Sequence, residues 1–169
     1  MEKQLFTSAH EITPLTMAII SSRDEGGKSI SYILEEKIEY ISNNSPSKLI
    51  DEACKFFGSS LKGRQEGTRD VCGLTHKVPV SIDPASGMYF FPTYSPTSPK
   101  CSWIAHSHVD RISRTDEGRT EILFKNGKEV NLDVSYGSIL NQIRRTAQFR
   151  FLLDNRIKYI KNQLEFEPF

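Results

Sequence analysis

The residues of this chain whose types best fit a chemical role are the glycines, hydroxylated residues and basic residues between positions 58 and 77. This segment reads GSSLKGRQEGTRDVCGLTHK. Glycine permits backbone conformations that are closed to other residues and lets the main chain approach a ligand closely. Hydroxyl groups, backbone amides, Arg and Lys make most contacts to the phosphates and sugars of nucleic acids. The segment therefore predicts a loop that binds a polyanion, with an ordinary solvated surface loop as the alternative.

The charge along the chain is unevenly distributed, although the formal net charge is only +1. Residues 1–57 carry six basic against nine acidic residues, and residues 78–135 carry six against seven. Residues 58–77 carry four against two, and residues 136–169 carry six against three. Two basic segments in an otherwise slightly acidic chain favour a nucleic-acid partner, since a polyanion responds to the local charge of a protein surface rather than to the protein's net charge.

A zinc site is one alternative use of the cysteines and histidines. Thiolates and imidazoles are the usual zinc ligands, and five of these residues are Cys72, His76, Cys101, His106 and His108. No CxxC pair and no HxxxH pattern occurs among them. The spacing therefore favours buried thiols and hydrogen-bonded histidines over a metal site.

A cysteine hydrolase is the second alternative, with Cys101 as the nucleophile and His106 as its base. A thiolate needs a nearby base and a donor pocket to react. The sequence contains no nucleophile elbow, no P-loop and no GxGxxG fingerprint. We therefore expect a binding protein rather than an enzyme.

The first half of the chain predicts strands followed by one short helix. Residues 15–21 form a β-branched apolar run, residues 24–27 (DEGG) predict a turn, and residues 29–41 alternate between apolar and polar types. Ser45 and Pro46 then supply an N-cap and a first-turn proline for a helix over residues 46–57, which Gly58 ends.

The second half predicts further strands and then a change to helical periodicity. Residues 78–82, 88–91 and 101–109 are expected strands, and alternation on both sides of Asn126-Gly127 predicts a hairpin over residues 120–134. From Ser135 the spacing is helical. Its two apolar stripes do not align, which predicts a bend, two helices or one helix with two packing faces. The stripes contain Tyr136, Ile139, Leu140, Ile143 and Ala147, and then Phe149, Leu153, Ile157, Ile160 and Leu164.

These elements predict an α+β fold with an antiparallel, β-rich core made of a meander and hairpins. We expect a mostly β core domain over residues 1–134, which contains the basic glycine-rich loop at 58–77. We expect residues 135–169 to form a C-terminal helical segment on the same domain. With 169 residues, no long apolar run, no leader at the N-terminus and three widely spaced cysteines, the chain is expected in the cytoplasm, associated with the nucleoid.

Four long phrases of the sequence resemble the ComK family of bacterial competence transcription factors, in the family's order. They span residues 49–84, 88–109, 124–138 and 141–157, and include LIDEACKFFGSSLKGRQEGTRDVCGLTHKVPVSIDP and NQIRRTAQFRFLLDNRI. The resemblance covers roughly residues 10–157 and matches the first 42 residues only loosely. Long phrases in a fixed order are more specific than a short motif.

The resemblance implies a transcription activator of genes for DNA uptake and recombination. It implies binding to paired A/T-rich boxes through the minor groove, by dimers that assemble into tetramers, with no enzymatic activity and no cofactor. A contact to RNA polymerase belongs to this picture and is not located. Members of the family continue past the LEFEPF at which this chain ends, with a tail that an adaptor of regulated proteolysis uses; because the tail here is short, we do not carry adaptor binding over.

Physical reasoning assigns the DNA contacts to the two basic segments. Arg and Lys side chains on a permissive loop can enter the narrow, electronegative minor groove of A/T tracts. Lys62, Arg64 and Arg69 are expected to insert, and the other residues to contact the backbone. The full set of expected DNA-binding residues is Ser59, Ser60, Lys62, Gly63, Arg64, Gly67, Thr68, Arg69, Lys77, Arg144 and Arg145.

The competing interpretation is a regulatory module that binds protein without touching DNA, with the basic loop as a solvated surface. Minor-groove edges distinguish mainly A·T from G·C, so specificity must also come from the spacing of boxes, which an oligomer can read. We therefore expect an oligomer interface, on the C-terminal helix.

Overall fold

Two antiparallel sheets form the framework of residues 12–166, the part of the chain that this computed structural model describes. The first sheet has six strands in the order β3-β2-β1-β6-β5-β4, and the second has three in the order β7-β8-β9. The strands are β1 (Thr16–Arg23), β2 (Ser29–Glu35), β3 (Glu39–Ser42), β4 (Val80–Asp83), β5 (Met88–Pro92), β6 (Trp103–Ala105), β7 (Val109–Arg114), β8 (Arg119–Phe124) and β9 (Glu129–Ser135). Two expectations concern residues outside the range 12–166. The absence of a leader was expected from the first residues, and the end of the tail falls at residues 167–169.

Three α-helices accompany the sheets, namely α1 (Pro46–Phe56), α2 (Leu61–Cys72) and α3 (Tyr136–Phe166). The expected α+β class is therefore confirmed, as are the meander β1-β2-β3, the short helix after Pro46 and the hairpin around Asn126-Gly127. No helix of residues 12–166 is both long and apolar enough to cross a membrane.

The six-stranded sheet is covered on both faces. On one face, α1 contributes Leu49 and Ile50 to a core with Phe90 and Trp103. The Trp103 indole also donates a 3.0 Å hydrogen bond to Ser47 Oγ of α1. On the other face, the three-stranded sheet and the start of α3 form a second core. Because successive strand residues point to opposite faces, β1, β5 and β6 feed both cores.

The expected loop at 58–77 is wrong over most of its length, because residues 61–72 form α2. Ser60 caps this helix by accepting a 2.9 Å hydrogen bond from the Gly63 amide, and Gly73, with φ of 69°, ends it. Two of the four glycines that suggested a loop, Gly63 and Gly67, lie inside this helix. The strand expected at 101–109 is also interrupted, by a 3₁₀ turn at His106–His108 between β6 and β7.

Tertiary hydrogen bonds hold α2 in place. Thr68 is fully buried, and its Oγ1 lies 2.7 Å from the Pro79 carbonyl and 3.0 Å from the Arg64 carbonyl. The Leu61 amide donates a 2.9 Å bond to Asp51 Oδ1 of α1. These contacts fix a helix whose own sequence has little apolar periodicity.

The C-terminal segment is one continuous helix, α3, rather than two. Ile139, Gln142, Thr146 and Phe149 are buried against the body, whereas Ala147, assigned to the first apolar stripe, is exposed. The buried face thus includes two polar residues, which is why apolar spacing alone did not locate it. Thr146 Oγ1 satisfies its hydrogen-bonding requirement by donating to the Gln142 carbonyl at 2.7 Å.

Arg150 joins the middle of α3 to the sheet. Its Nη1 donates to His106 Nδ1 at 3.0 Å and to Ser107 Oγ at 2.8 Å, and its guanidinium carbon lies 4.7 Å from the centre of the Tyr89 ring. Burial and the neighbouring Arg150 charge lower the pKa of His106 to about 4. His106 is therefore neutral and acts as an acceptor at neutral pH.

Replacing Thr68 by Val tests whether this residue is structural. Val keeps the shape but removes the hydroxyl from the Pro79 carbonyl, so we expect the free energy of unfolding to fall by about 1–2 kcal/mol. Urea unfolding measures the change, and Thr75→Val, at an exposed threonine, is the control. Equal stability of Thr68→Val and the wild type would contradict the structural role.

The lowered pKa of His106 predicts a loss of stability in acid. The unfolded chain takes up its proton near pH 6.5 and the folded chain only near pH 4, so the free energy of unfolding falls as the pH is lowered through this window. In His106→Asn, a non-titrating amide oxygen can accept the Arg150 bond. Melting temperatures at pH 7 and pH 5 should therefore differ less in the variant, and an equal difference in both proteins would refute the assignment.

Candidate nucleic-acid interface

Helix α2 lies at the β4 edge of the six-stranded sheet, between α1 and α3. Its inner face carries Leu61, Arg64 and Thr68, which follow one another at helical spacing. Its outer face is exposed to solvent. Both faces of the sheet are covered by other elements, so charged residues there would be buried. At the edge of the sheet, basic residues can remain exposed to solvent.

The outer face of α2 carries two exposed basic residues, Lys62 and Arg69. They are seven residues apart and therefore project from the same side of the helix, about 10 Å from each other along its axis. Glu66 is exposed next to them, and Gly63 and Gly67 lie beyond it. We call these five residues the α2 surface. It runs from two cations across Glu66 to two positions without side chains, and the exposed Asp70 lies on the same side of the helix.

Arg64, expected to insert into DNA, points toward the body instead. Its Nη2 donates to the Ile82 carbonyl of β4 at 3.3 Å. Its Nε is buried and has no hydrogen-bond partner among the described residues. Its charge also lies close enough to Cys54 of α1 to favour the thiolate there. Arg64 is therefore placed to anchor α2 rather than to reach a ligand.

The hydroxylated residues expected to contact the backbone of DNA differ in their availability. Thr68 is buried and Ser60 is the N-cap of α2, so both are engaged by the protein itself. Ser59 is partly exposed beside the helix start. A Cβ at Gly63 would meet Ser59 Oγ at 3.0 Å, whereas one at Gly67 would meet nothing within 4 Å.

Arg145 and Gln142 of α3 hold the segment that follows α2. Arg145 donates to the carbonyls of His76 and Lys77 and to Gln142 Oε1. Gln142 Nε2 lies 2.9 Å from the Lys77 carbonyl and 2.8 Å from the Pro92 carbonyl. Lys77 has φ of 46°, a left-handed conformation that is unusual for a residue with a side chain. Arg145 therefore positions Lys77 rather than projecting into solvent.

Arg144 is the basic residue of α3 that is exposed among those expected to bind DNA. Sequence reasoning did not select Arg156, which pairs with Asp70 at the end of α2 across 3.0 Å. This pair neutralises one of the two carboxylates of α2. No local signal identifies it, because the partners are far apart in the sequence.

The cysteines and histidines do not form a common site. Within residues 12–166, no group of three His, Cys, Asp or Glu side chains is placed to hold a metal ion. Cys101 Sγ faces the Tyr94 carbonyl at 3.5 Å, whereas His106 accepts from Arg150. Burial raises the pKa of Cys101, and raises that of Cys54 to about 12. Both thiols are therefore protonated and poorly nucleophilic at neutral pH.

Comparison with known proteins identifies the family. The chain matches the family described as ComK protein over residues 7–158, a range that contains all of α2 and most of α3. It is 38% identical over 151 residues to the protein named competence transcription factor from Bacillus subtilis (strain 168), and the alignment covers 89% of this chain and 78% of that protein. No solved structure matches the chain significantly. The resemblance found in the sequence phrases is thus confirmed, and the chain belongs to the ComK protein family.

Proposed function

We propose that this protein activates transcription of competence genes by binding A/T-rich promoter DNA, without catalysing a reaction. Membership of the ComK family and the name of the Bacillus subtilis relative support the transcriptional role. The observation that carries the DNA contact is the exposure of Lys62 and Arg69 on one side of a helix at the edge of the fold.

The helical form of α2 changes how the groove is approached. An α-helix is about 10–12 Å across with its side chains, and the minor groove of B-DNA is about 6 Å wide. The helix therefore lies over the groove, while Lys62 and Arg69 extend into it. Their positive charge meets the enhanced negative potential of an A/T tract.

Contacts to the flanking phosphates come from the neighbouring basic residues. Arg144 is exposed on α3, and the backbone of Lys77 is held by Gln142 and Arg145. We assign phosphate contacts to Arg144 and to the Lys77 ammonium group. Arg145 contributes to phosphate binding only indirectly, by positioning Lys77, because it donates to the carbonyls of His76 and Lys77.

Binding as an oligomer supplies the specificity that one minor-groove contact lacks. Minor-groove edges separate A·T from G·C and little else. Two copies bound to two boxes add the distance between the boxes as a second criterion. The C-terminal part of α3, with exposed apolar side chains at Ile157, Ile160 and Leu164, is the surface that we assign to this assembly.

Removing Lys62 and Arg69 should lower both the affinity for A/T-rich duplex and its dependence on salt. Each lost phosphate or groove contact reduces the slope of log affinity against log salt by about one. Titrations of Lys62→Ala, Arg69→Ala and the double variant at several salt concentrations measure this slope. Lys28→Ala, at an exposed lysine of the β1–β2 turn, is the charge-matched control.

The opposite change of charge on the same surface should act in the opposite direction. Glu66→Gln removes a carboxylate beside the proposed DNA path, so we expect tighter binding. If the double alanine variant keeps the wild-type slope and Glu66→Gln changes nothing, α2 does not face DNA. The protein-binding module would then be the better account.

Replacing Gly67 by Ala separates binding from stability. Ala meets nothing within 4 Å at this position and stabilises a helix by up to about 1 kcal/mol relative to Gly. We expect a higher melting temperature but weaker DNA binding, because a methyl group holds the helix away from the sugar-phosphate wall. Gly137→Ala in α3 is the matched control, since it is equally unobstructed. Unchanged affinity of Gly67→Ala would exclude a close approach at this side of α2.

A further inference from the structure

A cavity of about 340 Å³ lies between α3, β7 and the 3₁₀ turn at His106–His108. We call it the α3–β7 cavity. Its apolar lining comes from two residues of β7 and two of α3, namely Val109, Ile112, Leu140 and Ile143. Pockets that hold small molecules are about 300–1,000 Å³ in volume and are lined mainly by apolar side chains with a few polar groups. The volume and lining of the α3–β7 cavity therefore suit a small molecule.

Three basic side chains line the same cavity, and they come from three different elements. Arg111 lies on β7, Lys125 follows β8, and Arg150 lies on α3. None of the three forms an ion pair with a carboxylate within residues 12–166. Asp110 is the one carboxylate among the described lining residues. Three cations against one carboxylate leave the cavity with an excess of positive charge that the protein itself does not neutralise.

Two of these cations are held in place by contacts that leave donors for a ligand. The bonds of Arg150 to His106 and Ser107 both use Nη1, whereas a guanidinium has five N–H donors in all. The Tyr89 ring covers one side of the same guanidinium at 4.7 Å. The Lys125 amide donates a 2.9 Å bond to the His108 carbonyl, which fixes the backbone of Lys125 beside the cavity while its ammonium group stays exposed.

The electrostatic effect of these cations appears at His106, which lines the cavity. Burial, then the charge of Arg150 and, more weakly, that of Lys125 lower the pKa of His106 to about 4. The imidazole therefore adds no positive charge of its own at neutral pH. A position at which neighbouring charges disfavour a cation is one at which they favour an anion.

We propose that the α3–β7 cavity binds a small phosphate monoester whose organic part is apolar. A phosphate monoester carries about −1.5 to −2 charges at neutral pH and offers three acceptor oxygens. Arg binds phosphate through its planar fork of donors, and Lys binds it as a point charge. The apolar lining then contacts the organic part, so an ester should bind more tightly than inorganic phosphate.

The α3–β7 cavity is separate from the surface that we assign to DNA. Arg145 donates to the segment after α2, and Arg150 lies five residues further along α3. At about 100° per residue, the two side chains leave the helix about 140° apart. The buried face of α3 lies between them, with Thr146 and Phe149. A ligand in the cavity and a duplex on α2 can therefore bind at the same time, and the proposal does not depend on the DNA contact.

Titration of the full chain with phenyl phosphate tests the proposal, with binding followed through amide chemical shifts. Phenyl phosphate combines a phosphate dianion with an apolar ring, while inorganic phosphate and phenol each supply one of these parts. We expect phenyl phosphate to shift the amides of the cavity residues at millimolar concentrations and to bind more tightly than either part. Equal affinity for phenyl phosphate and inorganic phosphate, or shifts confined to other parts of the chain, would overturn the proposal.

Substitution of the exposed cations tests the charge contribution. Arg111→Ala combined with Lys125→Ala should raise the dissociation constant of phenyl phosphate about tenfold, because two ionic contacts to the phosphate are lost. Both residues are exposed, so we expect an unchanged melting temperature. Lys28→Ala combined with Lys48→Ala removes two exposed lysines that do not line the cavity and is the charge-matched control. Asp110→Asn should tighten binding, and a double variant that binds like the wild type would refute the assignment.

A/T-rich duplex, added to the complex with phenyl phosphate, separates the two sources of phosphate. We expect the shifts of the cavity amides to persist in the presence of duplex. Duplex that displaces phenyl phosphate from the cavity would show that Arg111, Lys125 and Arg150 contact DNA phosphates, and would overturn a small-molecule site. A protein that binds phenyl phosphate in the cavity but no duplex would refute the proposed function and leave this site intact.

Discussion

Burial of both faces of the six-stranded sheet is the constraint from which the remaining structure follows. Alternate residues of β5 and β6 send Phe90 and Trp103 toward α1, and Phe91 and Ile104 toward the second sheet. Neither face can then be left to solvent without exposing large apolar side chains. The chain therefore places one layer on each side, and its basic residues remain at the edge and on the helices.

Helix α3 connects the buried core to the surfaces that we assign to DNA and to the partner copy. Its first half completes the second core through Ile139 and holds the segment after α2 through Gln142 and Arg145. Its second half leaves the body with the same face exposed. A single element thus connects the site beside α2 to the exposed apolar side chains at Ile157, Ile160 and Leu164, so the geometry of the proposed assembly would fix the spacing between two DNA-binding surfaces.

Local signals in the sequence predicted the elements that depend on local interactions. Asn126-Gly127 defined the β8–β9 hairpin, and Pro46 defined the start of α1. Helix α2 could not be predicted in this way, because contacts such as that of Thr68 with Pro79 stabilise it rather than apolar periodicity. Tertiary packing also decides which basic residues face solvent. Lys62 and Arg64 are both basic and lie two residues apart, yet only Arg64 donates a hydrogen bond to the Ile82 carbonyl.

One substitution of bases tests whether the protein binds DNA through the minor groove. Inosine·cytosine pairs resemble A·T in the minor groove, since they lack the guanine amino group, but resemble G·C in the major groove. The affinity of the full chain should be compared for paired boxes made of A·T, inosine·cytosine and G·C at one spacing. If the protein reads the minor groove, inosine·cytosine boxes will bind as tightly as A·T boxes. Binding as weak as that of G·C boxes would contradict minor-groove recognition.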